Sequence, residues 1–238
     1  MPEAALAPID LHAFDTPAAL ANALAGRVAA ALGARIAADG AATLAVSGGR
    51  TPGVFLEALS RRALDWARVA VTLVDERWVP ETSPRSNAAL VRRNLLQHNA
   101  AAARFVPLHG TADTPEAGRA EAEARLAALP WPAAAVVLGM GDDGHTASFF
   151  PHGDGLAAAL DPAPPARLAV VRAAAAGEPR LTLTLPVLLG ADTLALHVEG
   201  EAKRAVLQAA RGPGTVADMP VRAVLRGARN PLYVAFCP

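Results

Sequence analysis

The chain has 238 residues, and 22 Lys and Arg side chains balance 22 Asp and Glu side chains, so it carries no formal net charge at pH 7. This neutrality argues against a nucleic-acid-binding protein, which normally presents a basic face to phosphates. A membrane span is not expected, because the sequence has no run of about 18 uncharged apolar residues. The N-terminal segment lacks the basic start and apolar core of a secretory signal. The single cysteine, Cys237, cannot form an internal disulfide, so a cytoplasmic protein is expected.

From residue 17 onward, helical patterns alternate with short apolar runs. Helix-forming residues and apolar residues at helical spacing predict a helix over 17–38. Polar and apolar residues alternate at 180–185, so the strand predicted there is expected to be half-buried. The order predicts an α/β fold in one domain over residues 1–238, with a mostly parallel, Rossmann-like sheet flanked by helices. Further helices are predicted at 52–61, 86–97, 114–129, 201–211 and 220–227, and strands at 43–46, 69–74, 134–138, 168–172, 180–185, 193–198 and 232–236.

Most of the unusual polar residues follow directly after predicted strands. In open α/β sheets, ligands bind at the carboxyl ends of strands, where loops lead into helices. Four segments have this placement: Ser47–Pro52, Asp75–Trp78, Gly139–Ala147 and Glu199–Lys203. We therefore expect these segments to form the functional site.

The first segment places Gly48 and Gly49 between a strand and a helix. Thr51 is suited to the N-cap of that helix and Pro52 to its first position. Glycines ahead of a helix N-terminus let backbone N–H groups approach an anion, and the helix dipole favours negative charge there. The segment therefore predicts a phosphate cradle, with a tight turn that needs glycine for backbone reasons as the alternative.

Charged residues follow the second strand directly, in the sequence Asp-Glu-Arg-Trp (75–78). Arg77 could bind a phosphate or a carboxylate through two parallel hydrogen bonds. Asp75 could act as a base or orient another group. The alternative interpretation is an ion-paired strand end.

The loop Gly-Met-Gly-Asp-Asp-Gly-His-Thr-Ala (139–147) carries the strongest local signal. His145 is of the residue type best able to move a proton near neutral pH, and Asp143 could hold its tautomer. Two alternatives are a purely structural turn and a metal site formed with Asp142 and His152, although the spacing matches no standard zinc pattern. Serine hydrolysis has no support, because the chain has no Gly-x-Ser-x-Gly elbow.

Lys203 is the only lysine among the 22 basic residues. It lies in the first turn of the predicted helix 201–211, where a cation opposes the helix dipole unless an anion is bound between them. An ammonium group is a compact point charge, whereas guanidinium is a wide planar fork. The placement predicts an anionic ligand, and the alternative is a lysine retained by chance.

Taken together and in this order, the motifs resemble the 6-phosphogluconolactonase family of the sugar-phosphate isomerase type of α/β fold. The resemblance extends from about residue 10 to the end of the chain. It implies hydrolysis of 6-phospho-D-glucono-1,5-lactone to 6-phosphogluconate in the oxidative pentose phosphate pathway, without a metal or an organic cofactor. A small-molecule partner and a monomer or weak homo-oligomer are expected. The motifs are Ser-Gly-Gly-Arg-Thr-Pro (47–52), Asp-Glu-Arg-Trp-Val-Pro (75–80), Ser-Asn (86–87), Arg-Arg-Asn-Leu-Leu (92–96), Gly-Met-Gly-Asp-Asp-Gly-His-Thr-Ala-Ser-Phe-Phe-Pro (139–151), Arg-Leu-Thr-Leu-Thr-Leu-Pro (180–186) and Gly-Glu-Ala-Lys (200–203).

Position by position, the resemblance assigns roles to the candidate residues. It makes His145 the general base that activates water, with Asp143 beside it. Asp75 falls where deaminase relatives have a catalytic aspartate. The phosphate-binding set that it implies is Ser47, Gly48, Gly49, Thr51, Arg77 and Lys203. The segment 81–85 departs from the His-x-Asp-like pattern of many relatives, which leaves a role for that loop undefined.

Two other functions are compatible with this fold. Glucosamine-6-phosphate deaminases tend to have Pro-Thr-Gly in place of Ser-Gly-Gly, a tyrosine in place of Arg77, and Ile-Ala-Phe-Asn-Glu-Pro where this chain has 146–151. Without that glutamate, their ring-opening chemistry is not expected. A non-catalytic sugar-phosphate sensor would usually append a DNA-binding helix pair, for which we expect no room, and would be expected to have lost the His145 loop.

Overall fold

The computed structural model describes residues 9–49, 51–163, 166–228 and 230–238. The strands are β1 (Ile9–Ala13), β2 (Ala42–Val46), β3 (Val69–Leu73), β4 (Asp75–Arg77), β5 (Arg104–Phe105), β6 (Ala135–Gly139), β7 (Leu168–Val171), β8 (Arg180–Leu183), β9 (Thr193–Glu199) and β10 (Leu232–Cys237). The helices are α1 (Pro17–Asp39), α2 (Gly53–Ser60), α3 (Asn87–Asn94), α4 (Pro115–Ala127), α5 (Leu156–Leu160), α6 (Leu185–Leu189), α7 (Glu201–Arg211) and α8 (Val221–Gly227).

Seven strands form a sheet in the order β1-β10-β9-β6-β2-β3-β5, and all its neighbouring strands are parallel. Its central strands β2 and β3 are buried along their whole length, as expected for a parallel sheet covered by helices on both faces. The prediction of an α/β fold with a mostly parallel sheet is therefore confirmed. The prediction of one domain over residues 1–238 stays a prediction.

Helix α1 shows how local sequence fixes an element of this fold. The Thr16 hydroxyl accepts a hydrogen bond from the backbone N–H of Ala19 at 3.1 Å and caps the N-terminus. At the other end, Gly40 adopts a left-handed conformation with φ of 81° and ends the helix. The face that carries Leu20, Leu24 and other apolar residues is buried.

Within the described ranges, no helix has the length and apolar character needed to cross a membrane.

A second, three-stranded antiparallel sheet runs in the order β4-β8-β7. The prediction of a half-buried strand at 180–185 was wrong, because all four residues of β8 are buried. β8 is the central strand of the small sheet, and its polar side chains face other protein groups instead of solvent. Thr182 accepts from the Ser148 backbone N–H at 3.4 Å, and Arg180 lies 3.5 Å from Asp75.

The chain passes from the large sheet to the small one at Val74. The Val74 N–H donates to the Val46 carbonyl in β2, and the Val74 carbonyl accepts from the Leu183 N–H in β8. The sequence pattern had predicted one strand at 69–74 followed by a loop. Because β4 begins directly after Val74, Asp75 and Arg77 are held on a strand beside the large sheet.

Candidate active site

A cavity of about 190 Å³ opens where β2 and β6 lie side by side. After β2 the chain adds β3 and β5 on one side of the sheet, and after β6 it adds β9 and β10 on the other side. The cavity therefore lies at the point where the direction of strand addition reverses. This is the expected ligand position in an open α/β sheet. Eight of the nine predicted site residues line the cavity: Ser47, Gly48, Gly49, Thr51, Asp75, Arg77, His145 and Lys203.

The ninth residue, Asp143, is held behind His145. Asp143 Oδ1 lies 2.5 Å from His145 Nδ1 and also accepts the His145 backbone N–H at 3.0 Å. These hydrogen bonds, the side-chain one above all, lower the pKa of Asp143 below its ordinary value of 3.8. Asp143 is therefore a carboxylate that accepts Nδ1–H, which leaves the Nε2 lone pair of His145 available to a substrate.

The loop around His145 is closed by its own backbone. The Gly141 N–H donates to the His145 carbonyl at 2.8 Å, and the Gly144 N–H donates to the Gly141 carbonyl at 3.1 Å. Gly144 has a φ of 78°, a left-handed conformation that favours glycine. The His145 ring lies against the Phe150 ring, with centroids 4.5 Å apart. The imidazole is thus fixed by a carboxylate on its edge and an aromatic ring on its face.

Asp75 is almost completely buried in the cavity wall. Its Oδ2 accepts a hydrogen bond from the Ser148 hydroxyl at 2.6 Å and lies 3.5 Å from Nη1 of Arg180. Burial lowers the pKa of Arg180 from its ordinary value, and Asp75 acts in the opposite direction. Asp75 is therefore both an ion-paired strand end and a cavity residue, so the two alternatives from the sequence coexist.

Arg180 lines the cavity although the motifs did not single it out as a site residue. Its guanidinium carbon lies 5.0 Å from the centroid of Phe150, the same ring that supports His145. The signal in the sequence was a charged residue within an otherwise regular strand pattern. Because the outward face of that strand was expected to meet solvent, the arginine had no assigned role.

Arg77 enters the cavity from β4, and its neighbours hold the adjacent helix. Arg77 donates through Nη1 to the Arg85 carbonyl. The preceding Glu76 accepts the backbone N–H groups of Asn87 and Ala88, both at 2.8 Å, at the N-terminus of α3. Burial raises the pKa of Glu76, and these backbone hydrogen bonds oppose the shift. Glu76 therefore fixes α3 against the strand that carries Asp75 and Arg77.

The glycine turn after β2 is shaped by a close approach to Asn87. A Cβ on Gly48 would lie 1.8 Å from Asn87 Oδ1, and Gly49 has a φ of 106°. Asn87 also lines the cavity and donates through Nδ2 to the Asp75 carbonyl at 2.8 Å. Sequence reasoning missed Asn87 as a site residue, because its distance from Gly48 along the chain hides their contact.

The predicted cap of α2 was wrong. The helix begins at Gly53 with Pro52 in the N-cap position, one residue later than expected, so Thr51 is not the cap. Among the residues that the structure describes, no side chain makes a capping hydrogen bond at this end. A proline has no hydroxyl with which to cap, so the first backbone N–H groups of α2 have no such partner. Arg50 lies outside the described residues.

Lys203 lies in the first turn of α7, as predicted, and the helix begins directly after Gly200, which has a φ of 93°. Within the described part of the chain, the ion pairs do not include Lys203. Among the described residues that line the cavity are three cations, Arg77, Arg180 and Lys203, and one carboxylate, Asp75. The cavity therefore favours an anionic ligand.

The four residues of the metal interpretation do not come together. His152 Nε2 lies 3.2 Å from Asp218 Oδ1, whereas His145 is engaged by Asp143. Across the described ranges, no three His, Cys, Asp or Glu side chains are grouped closely enough to hold a metal ion. The loop is thus arranged as a histidine–carboxylate pair.

Known proteins are similar to this chain over nearly its whole length. A family model described as "Glucosamine-6-phosphate isomerases/6-phosphogluconolactonase" matches residues 15–233. A "6-phosphogluconolactonase" of Rhizobium meliloti (strain 1021) is 54% identical over 229 residues, which cover 96% of this chain and 99% of the relative. Another of that name, from Mesorhizobium japonicum, is 54% identical over 227 residues, with 95% and 94% covered.

A solved structure has the same fold over nearly the whole chain. The crystal structure of a 6-phosphogluconolactonase from Shewanella baltica OS155 superposes with a TM-score of 0.93 and is 39% identical. The superposition covers 97% of this chain and 98% of that one. The resemblance inferred from the sequence motifs is confirmed, and the chain belongs to the glucosamine-6-phosphate isomerase/6-phosphogluconolactonase family.

Proposed function

We propose that the chain is a carboxylic ester hydrolase that converts 6-phospho-D-glucono-1,5-lactone to 6-phosphogluconate in the oxidative pentose phosphate pathway of the cytoplasm. The observation that carries the proposal is the His145–Asp143 pair, with 2.5 Å between Nδ1 and Oδ1, at the edge of a cavity with three cations. Relatives named for this activity, at up to 54% identity over nearly the full chain, support the same reaction.

In the proposed mechanism, His145 acts as the general base. Asp143 accepts the Nδ1–H, and Nε2 takes a proton from a water molecule as that water attacks C1 of the lactone. The C1 carbonyl becomes a tetrahedral oxyanion. The bond between C1 and the ring oxygen then breaks, and the ring oxygen takes the proton from Nε2. The products are a carboxylic acid at C1, which ionises, and a hydroxyl at C5.

The developing oxyanion needs hydrogen-bond donors. The backbone amides of Gly141, Gly144 and His145 already donate within the His145 loop. Arg180 is a cavity-lining cation close to the aromatic ring on which His145 rests. We therefore assign charge stabilisation to Arg180, with Asp75 and Ser148 fixing its surroundings.

The substrate phosphate is assigned to the cationic and glycine-lined part of the cavity. Arg77 and Lys203 supply positive charge, and the Ser47–Gly49 turn brings backbone groups close to the ligand. Binding the phosphate holds the lactone carbon in place for attack, which replaces a random encounter by a fixed geometry.

The deaminase alternative needs a carboxylate after the His145 loop. This chain has Phe149 and Phe150 in the corresponding segment, and both are buried apolar side chains in the core. The hydroxyl of Ser148, between them and the loop, is bonded to Asp75. The segment supports the histidine and supplies no second acid, which favours the lactonase.

The deciding experiment measures lactone hydrolysis and deamination side by side. Freshly prepared 6-phosphogluconolactone is given to the purified, EDTA-treated protein, and the spontaneous hydrolysis rate is subtracted. Glucosamine 6-phosphate serves as the control substrate, with ammonia release as the signal. We expect lactone hydrolysis and no ammonia, and the reverse result would overturn the proposal.

A further inference from the structure

His197 is a buried histidine of the cavity that the proposed mechanism does not use. It lies near the carboxyl end of β9, in register with Gly139 of β6, and is 4% exposed. Side chains at paired positions of neighbouring strands point to the same face of a sheet. Because Gly139 has no side chain, His197 lines the cavity beside it.

The two ring nitrogens of His197 are in different situations. Nε2 lies 2.8 Å from Oε1 of Glu199, two residues further along the same strand. Since a carboxylate only accepts, Nε2 carries the proton. Nδ1 is buried and has no hydrogen-bond partner among the residues that the structure describes. A buried polar atom without a partner costs stability, so Nδ1 is free to accept or donate a hydrogen bond to a ligand in the cavity.

The groups around His197 come from its own strand and from three neighbouring elements. Glu199 shares its strand, and Lys203 on α7 acts on it electrostatically. Phe55 of α2 packs edge-on with ring centroids 6.2 Å apart and adds no charge. On β10, Ala235 is in register with His197, and Cys237 is in register with Glu199. The charged neighbours are thus one carboxylate and one ammonium group.

These neighbours set the charge of His197 in the absence of a ligand. Burial lowers the pKa of His197 below 6.5, Lys203 acts in the same direction, and Glu199 opposes both. The ring is therefore neutral near pH 7, with Nε2–H directed to Glu199 and a lone pair on Nδ1. An anion on Lys203 would cancel the repulsive charge and favour the protonated ring.

We propose that His197 is a phosphate-binding residue that takes up a proton from solvent when phosphate binds. The imidazolium then donates Nε2–H to Glu199 and Nδ1–H to a phosphate oxygen, so that both nitrogens have partners. The inference rests on the proposed function only in placing the phosphate group of the substrate next to Lys203. It adds a proton-linked group to the binding set implied by the sequence motifs.

Proton uptake gives this role a signature that packing alone does not produce. Binding coupled to protonation is stronger at lower pH, and affinity falls as the pH rises through the pKa of the bound state. The heat of binding also depends on the buffer, because the buffer supplies the proton. A residue that acts only through packing would change affinity without changing proton uptake.

The test is calorimetric titration with inorganic phosphate and with 6-phosphogluconate at about pH 7. Each titration is done in two buffers that differ in ionisation enthalpy, and the difference gives the number of protons taken up. His197→Asn keeps a hydrogen-bond donor but cannot titrate. His109→Asn is the matched control, since His109 is a partly buried histidine outside the cavity whose pKa is also lowered by burial.

The phosphate group itself titrates near neutral pH, and its contribution to proton exchange is common to all three proteins. We expect the wild type and His109→Asn to exchange the same number of protons with each ligand. His197→Asn should take up fewer protons than they do, by the fraction that His197 contributes, and bind phosphate roughly tenfold more weakly. Unchanged proton uptake in His197→Asn would overturn the proposal, and so would weaker binding of 6-phosphogluconate alone, which would indicate a contact with the sugar. Lactone hydrolysis by the wild type is measured separately, so that the loss of this inference leaves the proposed function standing.

Discussion

Gly141 and His145 are packed so closely that a Cβ on the glycine would lie 2.2 Å from Nδ1 of the histidine. That separation is well below any van der Waals contact, so one of the two groups would have to move. Gly141 has no positive φ, and the obstacle to a side chain is therefore the imidazole ring. The absence of a Cβ at residue 141 thus leaves the space that the His145 imidazole occupies.

We therefore expect Gly141→Ala to displace the His145 ring and break its hydrogen bond to Asp143. The predicted loss of kcat is about 10²-fold or more, comparable with the loss of a positioned base. Binding of 6-phosphogluconate should change little, because the proposed phosphate-binding residues lie elsewhere in the cavity. Steady-state kinetics and product binding measure the two effects. Wild-type kcat in this variant would contradict the steric argument.

His145→Ala should lower turnover by roughly 10²–10⁴-fold, the usual contribution of a positioned general base. The turnover of Asp143→Asn should lie between that of His145→Ala and that of the wild type. An amide holds the imidazole less well than a carboxylate does in the tautomer that leaves Nε2 unprotonated. Rates are measured against the spontaneous reaction, and near wild-type turnover in His145→Ala would remove the residue from the mechanism.

Lys203→Ala is expected to weaken binding of 6-phosphogluconate by roughly 10–100-fold, since a charge-assisted hydrogen bond contributes about 1.5–3 kcal/mol. The fold should be retained, because a cation in a first helical turn opposes the dipole. Lys203→Arg provides the sharper comparison, because guanidinium is wider and planar. Full affinity in the arginine variant would mean that any cation serves at this position.

The lowered pKa of His197 has a consequence for stability in the absence of ligand. Between that lowered value and 6.5, the unfolded chain binds more protons than the folded one, so the free energy of unfolding rises with pH. We expect stability to fall as the pH drops below about 6.5, and to fall less in His197→Asn. Chemical denaturation at about pH 5.5 and 7.5 measures the difference. His109, whose pKa is also lowered, contributes equally to both proteins, and equal pH dependence would contradict the prediction.

Two helical glycines form a matched pair for a test of packing. A Cβ on Gly26 in α1 has its nearest neighbour at 4.0 Å, whereas a Cβ on Gly118 in α4 would lie 2.3 Å from the Trp78 ring. Gly26→Ala should stabilise the protein by about 0.5–1 kcal/mol. Gly118→Ala should destabilise it by about 1–3 kcal/mol through overpacking. Thermal or denaturant unfolding measures the sign of both changes in the free energy of unfolding. Stabilisation of Gly118→Ala would contradict the close approach of Gly118 to the Trp78 ring.

The sequence predicted the large sheet well because its strands are short apolar runs bounded by glycines and charges. It missed β1, which has five residues at one edge of that sheet, and β5, which is two residues long. It also missed α5 and α6, which have five residues each. Elements this short contain too few residues to show a clear periodic pattern. Their structure comes from contacts with the rest of the molecule.

The residues of the candidate site could be predicted where polar residues and glycines follow a strand directly in the sequence, as in the His145 loop and the Ser47–Gly49 turn. Arg180 and His197 were missed because both lie inside strands. Whether a strand residue faces a cavity depends on its register with a neighbour, such as the pairing of His197 with Gly139. Such pairings join residues far apart in the sequence, and local patterns do not contain them.

Val74 bonds to β2 on one side and to β8 on the other, so the two sheets are joined at one residue. Asp75 follows Val74, and Ser47 follows the Val46 that Val74 contacts. The segments that carry Ser47 and Asp75, both of which line the cavity, are therefore tied together by main-chain hydrogen bonds. A hinge motion between the two sheets at this point would break those hydrogen bonds, so we expect ligands to enter and leave the cavity without such a motion.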